Sequence, residues 1–209
     1  FGLNVNFIYC LLFGALISPT DPIAVLGILK SVNIPKSLEM KITGESLFND
    51  GVAVVIFLTI FEITQTGIEQ ASFSTITGLL LQEAGGGLLF GALLGYSGYF
   101  LLKSIDNYKV EVMISLAMVV GGYSLAHSLH VSGPLAMVVA GIIIGNRGKK
   151  YAMSDETKEY LDKFWELIDE ILNAILFIFI GLEILIVKKE LNYIEIGLIS
   201  VILILVSRY

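Results

Sequence analysis

The residues best suited to chemistry stand in two short stretches. The first, Gly44-Glu45-Ser46-Leu47-Phe48-Asn49-Asp50-Gly51, sets two acids, a hydroxyl and an amide just ahead of the apolar run 52–60. On a helix Ser46 and Asp50, four apart, share one stripe, and Glu45 and Asn49 share the next. An acid at mid-membrane costs about 2.5–3.5 kcal/mol on insertion scales, so Asp50, with apolar residues directly after it, reads as functional. Glu45 and Ser46 admit a second reading, as the solvated start of the helix. The other stretch, Ser18-Pro19-Thr20-Asp21-Pro22, interrupts an apolar run. Pro19 and Pro22 each remove a backbone donor and disfavour helical geometry at Ser18 and Asp21. One proline would read as a kink; two bracketing Thr20 and Asp21 predict a break between half-helices. Asp21 and Pro22 make a good N-cap and N1 pair, at the positive end of the second half's dipole. Carbonyls around Ile17 and Ser18 would lose their helical partners and could face a cation. A hydroxyl and a carboxylate opposite that backbone would make an all-oxygen cage, which suits a hard monovalent cation better than a transition metal.

The elements that must hold such a cage follow from hydropathy. Apolar runs separated by polar turns give about seven spans, at 5–29, 45–64, 76–102, 110–129, 132–146, 168–187 and from 194 onward. The stretch 147–169 carries Tyr151, Tyr160, Phe164 and Trp165 among charges, which suits a helix lying in the interface. Lys30, Lys36 and Lys41 follow the first span, Lys103 and Lys109 the third, and Arg147, Lys149, Lys150, Lys158 and Lys163 the fifth. The alternate connections hold only Lys188 and Lys189, with His127 and His130. By the positive-inside rule, connections 30–44, 103–109 and 147–167 are cytoplasmic. Irregular backbone at membrane depth is tolerated only where protein buries it or water reaches it, so the break near Thr20 must face the protein or a wet cavity.

Composition agrees. Of the 209 residues 56% are hydrophobic and 15% charged, against about 45–50% apolar and about 25% charged in soluble domains. Mean hydropathy is +0.83. A soluble enzyme with one compact core is excluded, and an all-α polytopic membrane protein is expected. A net charge of −6 argues against nucleic acid as a partner. The single Cys10 cannot form an internal disulfide. The chain opens on Phe1 and closes on Tyr209 beside apolar runs, which predicts further helices on both sides.

Other signals are weaker. Gly87, Gly91 and Gly95 recur every four residues behind Gly85 and Gly86, a small-residue seam for close helix packing, within the chain or at a subunit interface. His127 and His130 stand near an outer helix end without further ligands close in sequence, so no metal site is expected. Asp169 and Glu170 read as interfacial, with Asn173 deeper and able to hydrogen-bond a neighbouring helix. Arg208 follows the apolar run 196–207; it is either a buried charge in need of an acid, for which Glu45 is the natural candidate, or a cytoplasmic flank. No Ser-His-Asp, HExxH or nucleotide-binding pattern is present.

Together, Ser18-Pro19-Thr20-Asp21-Pro22 and Gly44-Glu45-Ser46-Leu47-Phe48-Asn49-Asp50-Gly51, separated by a short basic loop, resemble the cation:proton antiporter-1 family of sodium/proton exchangers. The resemblance continues through Ser132-Gly133-Pro134-Leu135-Ala136 with Gly141, and Phe164-Trp165-Glu166 with Asn173, Phe177 and Gly181, to Arg208. It implies that Asp50 carries the ion or the proton. It also implies that Thr20, Asp21 and Ser46 help form the cation site, that Asn49 supports it, and that Glu45 pairs with Arg208. The implied fold has about thirteen helices in two inverted repeats with crossed broken helices, of which this chain would supply the fifth to the eleventh, usually in a homodimer. On that basis 1–64 holds the ion-site core, 65–109 a linker helix, 110–190 interface and dimerisation helices, and 191–209 a truncated core helix. No second paired-proline break occurs in these residues, so the other crossed helix is expected beyond them.

The chemistry expected is exchange by competition. A buried carboxyl group favours its proton, and a nearby cation favours the ionised form. Asp50 would therefore hold either one proton or one Na+ (or Li+). Asn49 sits where electrogenic relatives carry a second aspartate, which points to electroneutral exchange. Potassium/proton exchange is the alternative within transport, since the oxygens do not fix ion size. A cation channel and a non-transporting membrane sensor are the readings from other classes. The expected setting is the cell membrane, with the lipid bilayer, protons and monovalent cations as partners and no cofactor.

Overall fold

The computed structural model describes residues 5–20, 35–66, 73–186 and 191–208. These are helical, with no strand among the described residues. Helix α1 is Phe7–Ile17 and α2 is Lys36–Thr66. Helix α3 runs as Phe73–Leu80, a π-helical turn Leu81–Gly85, then Gly86–Lys103; α4 is Tyr108–Ser128. Helix α5 is Gly133–Ile143 and continues through a π-helical turn Ile144–Gly148 into Lys149–Tyr151. Helices α6, Asp155–Ile186, and α7, Leu191–Arg208, complete the order. Three stretches, Ser37–Gln65, Ile76–Lys103 and Tyr108–Ser128, are long and apolar enough to cross a membrane.

Local chemistry sets the ends. The Asn6 side chain accepts from Ile8 N at 3.4 Å at the start of α1, and Asn107 accepts from Lys109 N at 3.1 Å at the start of α4. Ser132 caps α5 by accepting from Leu135 N at 3.3 Å, with Pro134 in the first turn, where its missing N–H is harmless. Helix α1 stops at Ile17, just before the first proline, yet Ser18 itself keeps helical angles, φ −61° and ψ −41°. The proline disfavours that geometry but does not forbid it, and the Ser18 N–H still donates to Gly14 O at 3.0 Å. The break expected between half-helices needs residues 21–34, which lie outside the described set, as do Asp21 and Pro22.

Two boundaries differ from expectation. Helix α2 begins at Lys36, well before 45. Its first turns, Lys-Ser-Leu-Glu-Met-Lys, are mostly strong helix formers, with Glu39 in the first turn where the dipole favours an acid. Glu45 and Ser46 are therefore interior to a helix and are not its solvated start. The segment expected to lie apart in the interface is instead continuous with the sixth span, in the single 32-residue α6. The Asn173 amide donates to Asp169 Oδ2 at 3.3 Å, one turn back on its own helix.

Two compact units result, Phe1–Lys158 and Glu159–Tyr209. In the first, α3 and α5 pack most extensively, because glycine lets their backbones meet. A Cβ on Gly87 would lie 2.8 Å from the Ser132 carbonyl oxygen, one on Gly91 2.7 Å from Ala136 Cα, and one on Gly95 3.0 Å from Ala140 Cα. The glycine seam is thus consumed within the chain and is not presented to a second subunit. Val55, Leu102, Ala126, Leu135 and Ala136 form the buried interior. Large apolar side chains such as Leu89, Leu93 and Val120 face outward, as a lipid-bathed surface requires.

Candidate functional site

The site is built where α1 ends against α2. The two helices pack along their length. Ser46 is buried at 4% exposure, and its hydroxyl donates to the main-chain carbonyl of Thr20. That bond ties the polar face of α2 to the non-helical residues following α1. Pro19 explains why such an oxygen is on offer. Past Ile17 the backbone has left the helix, so its carbonyls need partners from elsewhere.

Asp50 lies one turn along α2 from Ser46 and is half-buried. Its neighbour Gly51 is buried, and a Cβ there would meet Leu135 Cδ2 of α5 at 2.7 Å. Helix α2 is thus held on one side by α1 and on another by α5, with Asp50 beside the second contact. Val55 and Thr59 continue the buried face, and the Thr59 hydroxyl is spent on Val55 O at 2.8 Å. Asn49, more exposed, lines a cavity of about 540 Å³ between α1 and α2 together with Gly14, Ser18, Pro19, Phe48 and Val52. Glu45 is exposed on the same stripe as Asn49. Arg208 lies in the last turn of α7, in the second unit. The structure therefore brings Ser46 to Thr20 and sets Asn49 with Pro19 around one cavity, with Asp50 one turn after Ser46 on α2; Asp21 and Pro22 lie outside the described residues.

A second polar space lies at the other end of the bundle. A cavity of about 620 Å³ is lined by Glu62, Gln65, Gln82, Glu83, His127 and His130, among others. His130 adopts φ 54°, the left-handed conformation that often ends a helix, and its carbonyl accepts from the Gln82 amide at 3.4 Å. The two histidines therefore serve the turn between α4 and α5. Among the described residues no three metal-ligating side chains stand together.

Sequence reasoning missed one cluster. Glu111, in the first turn of α4, is wholly buried, and its Oε2 accepts from the hydroxyl of Thr157 at the start of α6. An acid in a first turn ordinarily reads as a solvated partner of the helix dipole, which hides this burial.

The comparisons agree with the architecture. The family profile described as "Sodium/hydrogen exchanger, transmembrane" matches residues 1–209. The chain is 65% identical over 185 residues to the Na(+)/H(+) antiporter NhaP of Pseudomonas aeruginosa, covering 88% of this chain and 43% of that protein. It is 40% identical over 186 residues to the Na(+)/H(+) antiporter NhaH of Halobacillus dabanensis, covering 88% and 46%. It is 35% identical over 199 residues to the low-affinity Na(+)/H(+) antiporter NhaS1 of a Synechocystis strain, covering 91% and 36%. The chain spans less than half the length of these curated relatives. Proteins so named are transporters and not enzymes, and with the profile covering every residue, this chain belongs to the sodium/hydrogen exchanger family.

Proposed function

We propose that the full-length protein exchanges sodium, or lithium, for protons, and that Asp50 is the group that carries one or the other. The observation that carries this reading is the hydrogen bond from Ser46 to the Thr20 carbonyl, which puts the end of α1 against the α2 stripe that bears Asp50. The Thr20 main chain, the Ser46 hydroxyl, the Asp50 carboxylate and Asp21 supply hard oxygens for an alkali cation. Proton and cation compete for the same carboxylate oxygens, and that competition is sufficient for coupled exchange. Asn49 is neutral where electrogenic relatives carry a second aspartate beside Asp50, which supports one-for-one, electroneutral exchange. The names of the relatives favour sodium over potassium.

In this reading residues 18–22 are the unwound middle of a broken helix, crossed in the whole protein by a second one from an inverted repeat. Glu45 and Arg208 form a structural ion pair, the basic connections 30–44, 103–109 and 147–167 face the cytoplasm, and the protein works in the cell membrane as a homodimer. Residues 1–64 and 191–209 belong to the moving core, 65–109 link it, and 110–190 hold the interface.

Full-length protein in proteoliposomes tests the central claim. Asp50→Asn should abolish sodium-driven proton movement while leaving folding intact. Sodium/proton exchange persisting in that variant defeats the assignment, and a transport rate that responds to imposed voltage at fixed gradients defeats electroneutrality.

A further inference from the structure

Glu111 and Thr157 are among the fully buried side chains of the first unit. The Thr157 hydroxyl donates to Glu111 Oε2, and the hydroxyl of Ser154 donates to Thr157 Oγ1 at 3.2 Å. Ser154 is exposed. Glu111 Oε1 is buried and has no hydrogen-bond partner among the described residues. A fully ionised carboxylate with one idle oxygen is a poor occupant of a dry site, whereas a carboxylic acid is a tolerable one. The two hydroxyls form a file from water to that carboxyl, each hydrogen pointing inward.

The charged group that acts on it does not neutralise it. Asp106, in the turn before α4, is close enough to act on Glu111 and has the same sign. Lys109 and Glu156 lie with Asp106 and Thr157 around an adjoining cavity of about 300 Å³. Lys103, just before that turn, is held over the Tyr99 ring at 5.9 Å.

We propose that Glu111 is a second proton-binding site, loaded from the aqueous phase through Ser154 and Thr157, whose occupancy governs how firmly the first turn of α6 is held to α4. A proton arriving at Ser154 Oγ moves the Ser154 hydrogen to Thr157 Oγ1 and the Thr157 hydrogen to Glu111 Oε2, so one proton enters and one is bound. The same two side chains form the start of α6: Thr157 N donates to Ser154 Oγ at 3.3 Å. Loading and anchoring therefore act on one turn. When Glu111 loses its proton, the buried charge is relieved by opening toward water, and the turn at 154–157 is released. This site is separate from Asp50 and does not rest on the exchange reading.

Hydrogen exchange on full-length protein in lipid nanodiscs, corrected for intrinsic rates, tests this without any transport measurement. In the wild type, opening of the backbone at 155–160 should rise by up to about tenfold per pH unit between the pH at which the opened Glu111 ionises and the pH at which the buried one does, and level off above it, as loss of one linked proton requires. Glu111→Gln should abolish that slope, because the amide oxygen still accepts from Thr157 and cannot titrate. Thr157→Ser should keep the slope, and Thr157→Val, which removes the hydroxyl that ties α6 to Glu111, should raise opening at every pH. Difference infrared spectra should contain a protonated-carboxyl stretch that vanishes in Glu111→Gln. A flat wild-type profile, an unchanged slope in Glu111→Gln, a Thr157→Val protein that opens no more than the wild type, or an infrared band indifferent to Glu111→Gln overturns the proposal.

Discussion

The glycine seam offers the sharpest test of the packing. A Cβ on Gly91 would sit 2.7 Å from Ala136 Cα and 2.9 Å from Ala136 C, and closer still to its carbonyl oxygen. All three atoms are backbone, so relief requires α3 and α5 to separate. Overpacking typically destabilises by about 1–3 kcal/mol, and a rigid neighbour places Gly91→Ala near the upper end, about 3 kcal/mol. Exchanging glycine for alanine inside a helix returns about 1 kcal/mol of propensity. The net loss is about 2 kcal/mol. At the lower end of about 2–4 °C per kcal/mol, thermal unfolding of the detergent-purified full-length protein should shift down by roughly 4 °C. Two siblings isolate the cause. At Gly98 the obstacle is the end of the Met118 side chain, a flexible thioether that can move aside, so Gly98→Ala should be close to neutral. Nothing lies within 4 Å of a Cβ on Gly121, and Gly121→Ala should be neutral or stabilising. A Gly91→Ala protein that melts at or above the wild type would refute the reasoning. So would a Gly121→Ala protein that loses as much.

Other expectations are more local. Ser46→Ala leaves the Thr20 carbonyl without its donor and removes one oxygen from the junction; at about 1 kcal/mol per hydrogen bond, the apparent sodium affinity in proteoliposomes should fall roughly fivefold, and an unchanged KM contradicts the assignment. Ser132→Ala removes the buried cap of α5, and should lower stability by about 1 kcal/mol, read as an earlier unfolding midpoint, with Ser132→Asp a partial rescue. On the exposed start of α6, the Lys158 ammonium 2.8 Å from Asp155 holds that carboxyl below its ordinary value, and Lys163, 2.6 Å from Glu159, does the same. Depressed carboxylates contribute stability above their unfolded values that is lost as the pH falls through the folded ones. Any contribution of these pairs therefore disappears only in acid. Because both acids are fully solvated, Lys158→Ala should leave the unfolding midpoint at neutral pH unchanged within error.

Much of the candidate site was readable in order of residues because its logic is periodic. Ser46 and Asp50 fall on one stripe of any helix, and a proline at 19 must end or bend the helix before it. What no periodicity contains is the partner across the gap: the Ser46 to Thr20 bond joins positions 26 apart, and only packing decides it. The limits expected at 110 and 132 fall within two residues of the observed starts of α4 and α5, where Asn107 and Ser132 cap; elsewhere hydropathy was a poor stand-in for helicity. Residues 36–44 are polar, so they read as a loop, yet most of their side chains favour helix. For the same reason 147–169 read as a separate helix in the interface, when from Asp155 onward it is the opening of α6. The glycine spacing announced a close contact without naming its partner. Glu111 was the deepest omission, because its burial depends on a threonine 46 residues away.

The same packing explains how the scaffold bears on the junction. Helix α5 presents Ala136 and Ala140 to the glycines of α3 and Leu135 and Val138 to Gly51 of α2. Its position is fixed on the first side by backbone contact, which leaves little room to slide, and it transmits that position to the second through a branched side chain. Asp50 is the residue next to Gly51, and Ser46 is one turn earlier on the same helix. The register of α2 against α1, and with it the meeting of Ser46 and Thr20, is therefore set jointly by α5 and by the proline-ended α1. A rigid seam remote from the polar residues and a tolerant contact beside them is the arrangement expected if, as proposed, Asp50 must be held in place as the carrier of the proton or the cation.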